Sequence, residues 1–182
     1  MKQFKAVFCH FLLAGLLFSS PLLVRADAPA EDGTLLNFKS PSLLTEHVNL
    51  EQAKATVATE GETPVVQAEY PAGNGYPAVK FHGPWDLTGY TGVQVTVKNT
   101  GASNARVVLR VDGGDNWKES PWNTQTVSIL PGDTQVIRVV FGESDGKPGY
   151  ALVPSGVLRA LVFVINPTDV VKLSMSELKA CK

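Results

Sequence analysis

The chain has 182 residues, 44% hydrophobic and 18% charged, with 16 Gly, 12 Pro and two Cys. These proportions exclude collagen, a coiled coil and wholesale disorder, and the length suits one domain while being short for a large catalytic barrel. Lys and Arg (16) nearly balance Asp and Glu (17) with no basic run, which argues against nucleic acid as a partner.

The chain opens with Lys2 and Lys5, continues through an apolar stretch from Ala6 to Val24, and then places small residues at Ala26 and Ala28. That is the layout of a secretory signal peptide, and an N-terminal anchor is the competing reading because the stretch approaches the length of a membrane span. Cys9, His10, Ser19, Ser20 and Pro21 interrupt the run and favour cleavage. Pro29 would follow the second candidate bond, so cleavage after Ala26 is expected, and the protein is expected to be secreted or periplasmic and free of the membrane. Removal of residues 1–26 takes three bases and no acid, leaving 13 basic against 17 acidic residues, a formal net charge of −4. Cys9 leaves with the signal, so Cys181 has no intrachain partner; it is either an unpaired tail thiol or a disulfide link to a second copy.

Beyond a short leader, residues 27–32, the chain reads as period-two segments broken by turn residues. The segments 65–70 and 77–82 come first, with Val79 and Phe81 facing inward. The region 44–52 fits a short helix or a strand equally well. Val93, Val95 and Val97 then alternate with Gln94, Thr96 and Lys98; Val107, Leu109 and Val111 with Val108, Arg110 and Asp112. Val127 and Ile129, then Ile137, Val139 and Phe141, repeat the pattern. Leu161, Phe163 and Ile165 read as the buried set of the next segment, and Val171, Leu173 and Met175 as that of the last. Turn clusters at Asn74-Gly75, Asn99-Thr100-Gly101, Gly113-Gly114-Asp115, Pro131-Gly132-Asp133 and Gly146-Lys147-Pro148-Gly149 separate them. About ten such strands, each with one wet face, predict an all-β, two-sheet antiparallel sandwich of the jelly-roll, galactose-binding-like kind over residues 33–180.

Catalytic chemistry finds little footing. His47 and His82 are the only histidines beyond the signal, far apart in sequence, and His82 reads as a surface or strand-edge residue. No Gly-x-Ser-x-Gly elbow and no phosphate-cradling loop is present. Glu143 and Asp145 share a Gly-rich loop where solvation is the default, and Asp112 with Asp115 could mark a turn or a cation site. No cofactor or metal is implied. The aromatics say more. Trp117 and Trp122 bracket a polar loop containing Asn116, and indole faces stack on sugar rings while amides, carboxylates and guanidinium groups fix hydroxyls. On the wet strand faces, Gln67, Glu69, Lys80, Gln94, Thr96, Arg110, Asp112, Thr126 and Arg138 oppose the apolar sets. Arg110 with Asp112 offers directional recognition. Candidate carbohydrate contacts are therefore Trp117, Trp122, Asn116, Arg110 and Asp112, while Trp85, just before a core strand, reads as structural.

The runs Tyr76-Pro77-Ala78-Val79-Lys80-Phe81, Pro84-Trp85-Asp86-Leu87-Thr88-Gly89-Tyr90-Thr91-Gly92 and Val108-Leu109-Arg110-Val111-Asp112, with Leu130-Pro131-Gly132-Asp133-Thr134 and 161–167, resemble a known module. It is the carbohydrate-binding-like jelly roll N-terminal to the catalytic domain of secreted β-agarases and related glycoside hydrolases. The resemblance implies a non-catalytic module for a polysaccharide, with an agar-type galactan as one ligand. Related modules hold a structural calcium through acids on their first and last strands. Here Asn37-Phe38-Lys39 and Ser176-Glu177-Leu178 stand at those positions, which implies that the calcium is lost and that Lys39 pairs with Glu177. Two other classes stay open: a structural or adaptor sandwich of the cell envelope that binds protein, and a small jelly-roll enzyme that cleaves polysaccharide.

Overall fold

A computed structural model describes residues 26–114 and 121–182. Alternating apolar residues generate strands β1 (Val48–Glu51), β2 (Lys54–Glu60), β3 (Thr63–Tyr70), β4 (Ala78–Trp85), β5 (Gly92–Asn99), β6 (Ala105–Asp112), β7 (Trp122–Ile129), β8 (Thr134–Val140), β9 (Glu143–Ser144), β10 (Lys147–Pro148), β11 (Val157–Val164) and β12 (Val171–Cys181). Ten of them form two antiparallel five-stranded sheets, ordered β1-β4-β11-β6-β7 and β2-β3-β12-β5-β8, and β9 and β10 make a small separate hairpin. The expected all-β jelly-roll sandwich is what forms. The ambiguous region 44–52 divides between both readings, a single helical turn α1 (Leu43–Glu46) followed by β1.

The inner faces meet in a core that includes Val95, Val97, Val107, Leu109, Val111, Ile137, Val139 and Met175, all fully buried. Each such side chain contributes about 1.5–3 kcal/mol of burial. Trp85 is also buried, as its placement before a core strand suggests. Polar ties cross the sandwich. The Tyr70 hydroxyl on β3 donates to the Val162 carbonyl on β11, 3.2 Å away, and complete burial pushes this phenol far above its ordinary range. The buried Asn99 amide at the end of β5 donates to the Ser103 and Ile129 carbonyls and accepts from Gly101 N–H, which ties the end of β5 to the end of β7 in the other sheet. Only glycine fits at position 92, where a Cβ would collide with the Val139 carbonyl oxygen.

Two strands depart from simple alternation. In β12, Val171, Leu173 and Met175 face inward, but Glu177 takes a positive φ of 56° and the register to β5 shifts between Ser176 and Lys179. Leu178 and Ala180 then become the inward pair. In β11 the phase is opposite to the sequence reading: Ala160, Val162 and Val164 enter the core, while Leu161, Phe163 and Ile165 lie on the other face. The segment is apolar at every position, so period two cannot set its phase; the bulge between Val157 and Arg159 does.

Residues before α1 are stitched to both sheets. Asp27 bridges to Trp85 and Thr34 to Lys179, and Leu35, Leu36, Phe38 and Leu43 cap the core, with Phe38 stacked on Phe81 at 5.6 Å. Lys39 lies in a turn held by Asn37 and does not pair with Glu177, whose partner is Lys179 at 3.5 Å. His82, read as a surface or edge residue, is half-buried within the sheet: its backbone N–H donates to the His47 carbonyl at 2.8 Å and it stands opposite Arg159. The predicted signal, 1–26, lies outside the described residues except for Ala26.

Candidate functional site

The register of the first sheet fixes which side chains share its outer face. One row across the strands reads His82, Arg159, Asp112 and Trp122; the next reads Lys80, Leu161, Arg110 and Thr124; the third reads Ala78, Phe163, Val108 and Thr126. Residues paired this way stand about 5 Å apart, so these rows are contiguous surface. The β4, β11 and β6 part of these rows, from Lys80 and Ala78 through Arg159, Leu161 and Phe163 to Arg110 and Asp112, lines a groove of about 630 Å³ with Glu51 and Tyr76 at its β4 end, and Trp122, Thr124 and Thr126 continue the same face onto β7.

At its centre Asp112 is buried, its side chain only 2% exposed, between two guanidinium groups. Arg110 Nε donates to Asp112 Oδ1 at 2.5 Å, and Arg159 Nε donates to Oδ2 at 2.8 Å. Arg159 also donates through Nη2 to the Gly114 carbonyl at 3.0 Å. Taking a carboxylate out of water costs several kcal/mol, and two charge-assisted bonds offset that cost while locking both arginines in place. Alternation along β6 was enough to place Arg110 and Asp112 on one face. Arg159 was not foreseen, because its role depends on β11 pairing with β6, a contact 47 residues away in sequence. Each Asp112 oxygen accepts from a guanidinium Nε, and Asp115, its partner in the turn or cation reading, lies outside the described residues.

Aromatic surface flanks this charge cluster on a diagonal. Phe163, half-buried beside Leu161, meets Tyr76 edge-on at 6.0 Å and 84°, and Tyr76 is 61% exposed. At the other end Trp122 carries Arg110 over its ring at 5.0 Å and packs against Tyr150 at 5.4 Å. Two strand spacings and four residues of rise separate Phe163 from Trp122, roughly 17 Å. Tyr150 is held there from below. The buried Asn123 donates to the Tyr150 carbonyl and accepts from Gly142 N–H, each at 3.0 Å, anchoring the β9–β10 hairpin beside β7. Asp145, one of the solvated acids of the sequence reading, is exposed and also accepts from Thr126 N–H at 2.6 Å, which helps cover the β7 edge.

Of the five predicted contacts, the fold brings Arg110, Asp112 and Trp122 together; Trp117 and Asn116 lie outside the described residues. Phe163, Leu161, Tyr76, Tyr150, Arg159 and Asn123 were missed. For the first two the signal was the uninterrupted apolar run itself, which marks a strand whose second face is not simply wet. The remaining wet-face candidates separate: Lys80 lines the groove and Thr126 stands on the same sheet face, while Gln67, Glu69, Gln94, Thr96 and Arg138 stand on the opposite sheet. That second face carries a smaller hollow of about 390 Å³ among Lys54, Thr56, Gln67, Glu69 and Lys172. Cys181 is half-buried at the end of β12, and burial pushes its thiol up despite the opposing pull of Arg138. Among the described residues no group of three or more His, Cys, Asp or Glu is arranged to hold a metal ion.

No family model and no curated protein matches the chain. Solved structures do. An agarase, AgWH50C, superposes with a TM-score of 0.64 at 12% identity, over 82% of this chain and 24% of that one. The family 11 carbohydrate-binding module from Clostridium thermocellum, in complex with a β-1,3-1,4-mixed-linked tetrasaccharide, superposes with a TM-score of 0.52 at 13% identity, over 75% of this chain and 89% of that one. The CBM22-1 and GH10 modules of Clostridium thermocellum xylanase 10B, complexed with xylohexaose, give 0.54 at 14%, over 82% and 28%. The chain thus spans about a quarter of the agarase it matches and most of the free-standing module. The likeness is one of fold, that of jelly-roll carbohydrate-binding modules.

Proposed function

We propose that this protein is a secreted or periplasmic, non-catalytic carbohydrate-binding module whose ligand lies in the groove across β4, β11 and β6 and on the adjoining face of β7. The observation that carries the reading is one sheet face on which a fixed Arg110–Asp112–Arg159 cluster stands between aromatic surface at Tyr76 and Phe163 and at Trp122. Aromatic faces take the apolar faces of sugar rings, and immobilised donors read substituents at little entropic cost. The diagonal is long enough for several rings of a polymer. The shared fold with a module bound to a tetrasaccharide supports the reading, and the agarase likeness makes an agar-type galactan one ligand to try first.

Secretion is expected to follow cleavage after Ala26. Asp27 already belongs to the fold, donating from its N–H to the Pro84 carbonyl and accepting from Asp86 N–H, each at 2.9 Å. Cleavage after Ala28 would remove both bonds. Among the described residues no helix is long and apolar enough to cross a membrane.

The test is affinity electrophoresis of the protein in native gels containing agarose, xylan, mixed-linkage β-glucan or alginate, with reducing ends assayed in parallel. Retardation by one polymer, weakened in Trp122→Ala and Phe163→Ala, with no release of reducing ends, is the expected result. Normal migration in every gel would remove the reading, and released sugar that tracks the purified protein would replace it with an enzyme.

A further inference from the structure

The groove floor is rich in hydrogen-bond donors and poor in acceptors, and this narrows what kind of polymer it suits. Both Asp112 oxygens accept from guanidinium Nε atoms, and Leu161, Phe163 and Ala78 bring no polar side-chain atom. A guanidinium has five N–H donors and no acceptor, and among the described residues Arg110 commits only its Nε to an acceptor, leaving the Nη edge beside the Trp122 ring. Lys80 adds an ammonium in the same row; its partner Glu51, 2.5 Å away, is the one carboxylate of the lining besides Asp112 and stands at the more exposed rim, its side chain 54% accessible against 28% for Lys80. A neutral sugar hydroxyl donates as well as accepts and finds few acceptors here. A carboxylate or sulfate only accepts, and two fixed donors in a planar fork match its shape.

Resting on the carbohydrate-binding reading above, we propose that the ligand of this groove is a polysaccharide bearing oxyanions, either uronate carboxylates or sulfate esters, received by Arg110 and Lys80 while the rings lie against Phe163 and Trp122. Without residues 1–26 the protein has 13 basic against 17 acidic residues, a formal net charge of −4, and would repel polyanions in general, so recognition has to come from this face.

The experiment measures affinity of the protein for four polymers by electrophoresis and titration calorimetry at low salt and again at about 1 M salt, where screening acts over roughly 3 Å. The polymers are alginate, a sulfated galactan, agarose and mixed-linkage β-glucan. The expected result is binding to one of the two anionic polymers at least ~10-fold tighter than to either neutral one, as charge-assisted bonds of this kind allow. That binding is lost at high salt and is reduced in Arg110→Gln; which anionic polymer binds tells carboxylate from sulfate. Lys80→Gln, which leaves the Asp112 cluster whole, is expected to weaken anionic binding as well, so the inference stays testable if Arg110→Gln does not fold. Lys172→Gln on the opposite sheet is expected to change nothing, and an equal loss there would mean general charge attraction and overturn the inference. Binding of agarose or β-glucan as tightly as the anionic polymers, insensitive to salt, would overturn the inference and keep the carbohydrate-binding reading. Binding of none of the four would overturn both.

Discussion

The two outer faces of this sandwich are made in the same way and finished differently. On the β2-β3-β12-β5-β8 sheet the outward residues are mostly short or flexible and polar, such as Thr56, Gln67, Ser174, Thr96 and Lys172, with Val65 and Val136 among them but no aromatic ring, and the ion pair between Lys172 and Glu69 is long and exposed, at 3.9 Å. On the β1-β4-β11-β6-β7 sheet a carboxylate is buried between two arginines and large aromatic side chains stay partly uncovered. Either face would satisfy the strands below it. The first is what solubility alone requires, whereas the second accepts desolvated charge and exposed ring surface that folding does not need, and such an arrangement is ordinarily kept for binding.

The sharpest way to break the comparison is to remove the buried carboxylate. Asp112→Ala leaves two guanidinium groups facing each other, and a loss of about 3–5 kcal/mol in urea unfolding is expected. The matching change on the other face, Glu69→Gln, is expected to cost well under about 1 kcal/mol. If the two losses were equal, the Asp112 cluster would be ordinary surface. Next in size are the aromatic truncations. Trp122→Ala and Phe163→Ala are each expected to cost about 1–3 kcal/mol of polymer binding, by analogy with base stacking, read from calorimetric titration. Both proteins should retain the cooperative melt of the parent. Lys172→Ala should leave binding as it was.

The smallest effect is one of pH on the plainer face. Glu60 is held below the ordinary carboxylate range, chiefly by the Ser174 hydroxyl and then by Gln67, whose amide donates to it at 3.2 Å. A carboxyl lowered in the folded state stabilises it at neutral pH, and that contribution disappears as pH falls through the lowered value. Melting temperature followed from neutral to acid pH should therefore fall slightly less in Glu60→Gln than in the parent; identical profiles would show that Glu60 contributes nothing.

How much of this was visible in the sequence depends on how far each contact reaches along the chain. Strand count, sandwich class and the Arg110–Asp112 pairing are local, since alternation places residues i and i+2 on one face. Trp85 was also legible, because an indole immediately before a core strand has somewhere to be buried. The phase of β11 was not, because 160–165 is apolar on both faces and only pairing with β4 and β6 settles which residues turn outward. That single inversion hid Phe163 and Leu161 from the site. Arg159 and Asn123 were hidden for a related reason, as each acts on a partner more than 25 residues away. The expected Lys39–Glu177 pair failed because residues 37–40 form a turn held by Asn37 and the bulge at Glu177 directs that side chain to Lys179.

The leader stitched across both sheets has a mechanical consequence. Load applied at Ala26 reaches first the two backbone bonds of Asp27 and then the bridge from Thr34 to Lys179, so the segment behaves as a latch. Peeling it uncovers Leu35, Leu36 and Phe38 and opens the end of the core. The groove, on the face of the first sheet, keeps its register through β11 and β6, which the latch does not touch. A pulling experiment on the protein should therefore show a low-force opening step before the sandwich yields as a whole.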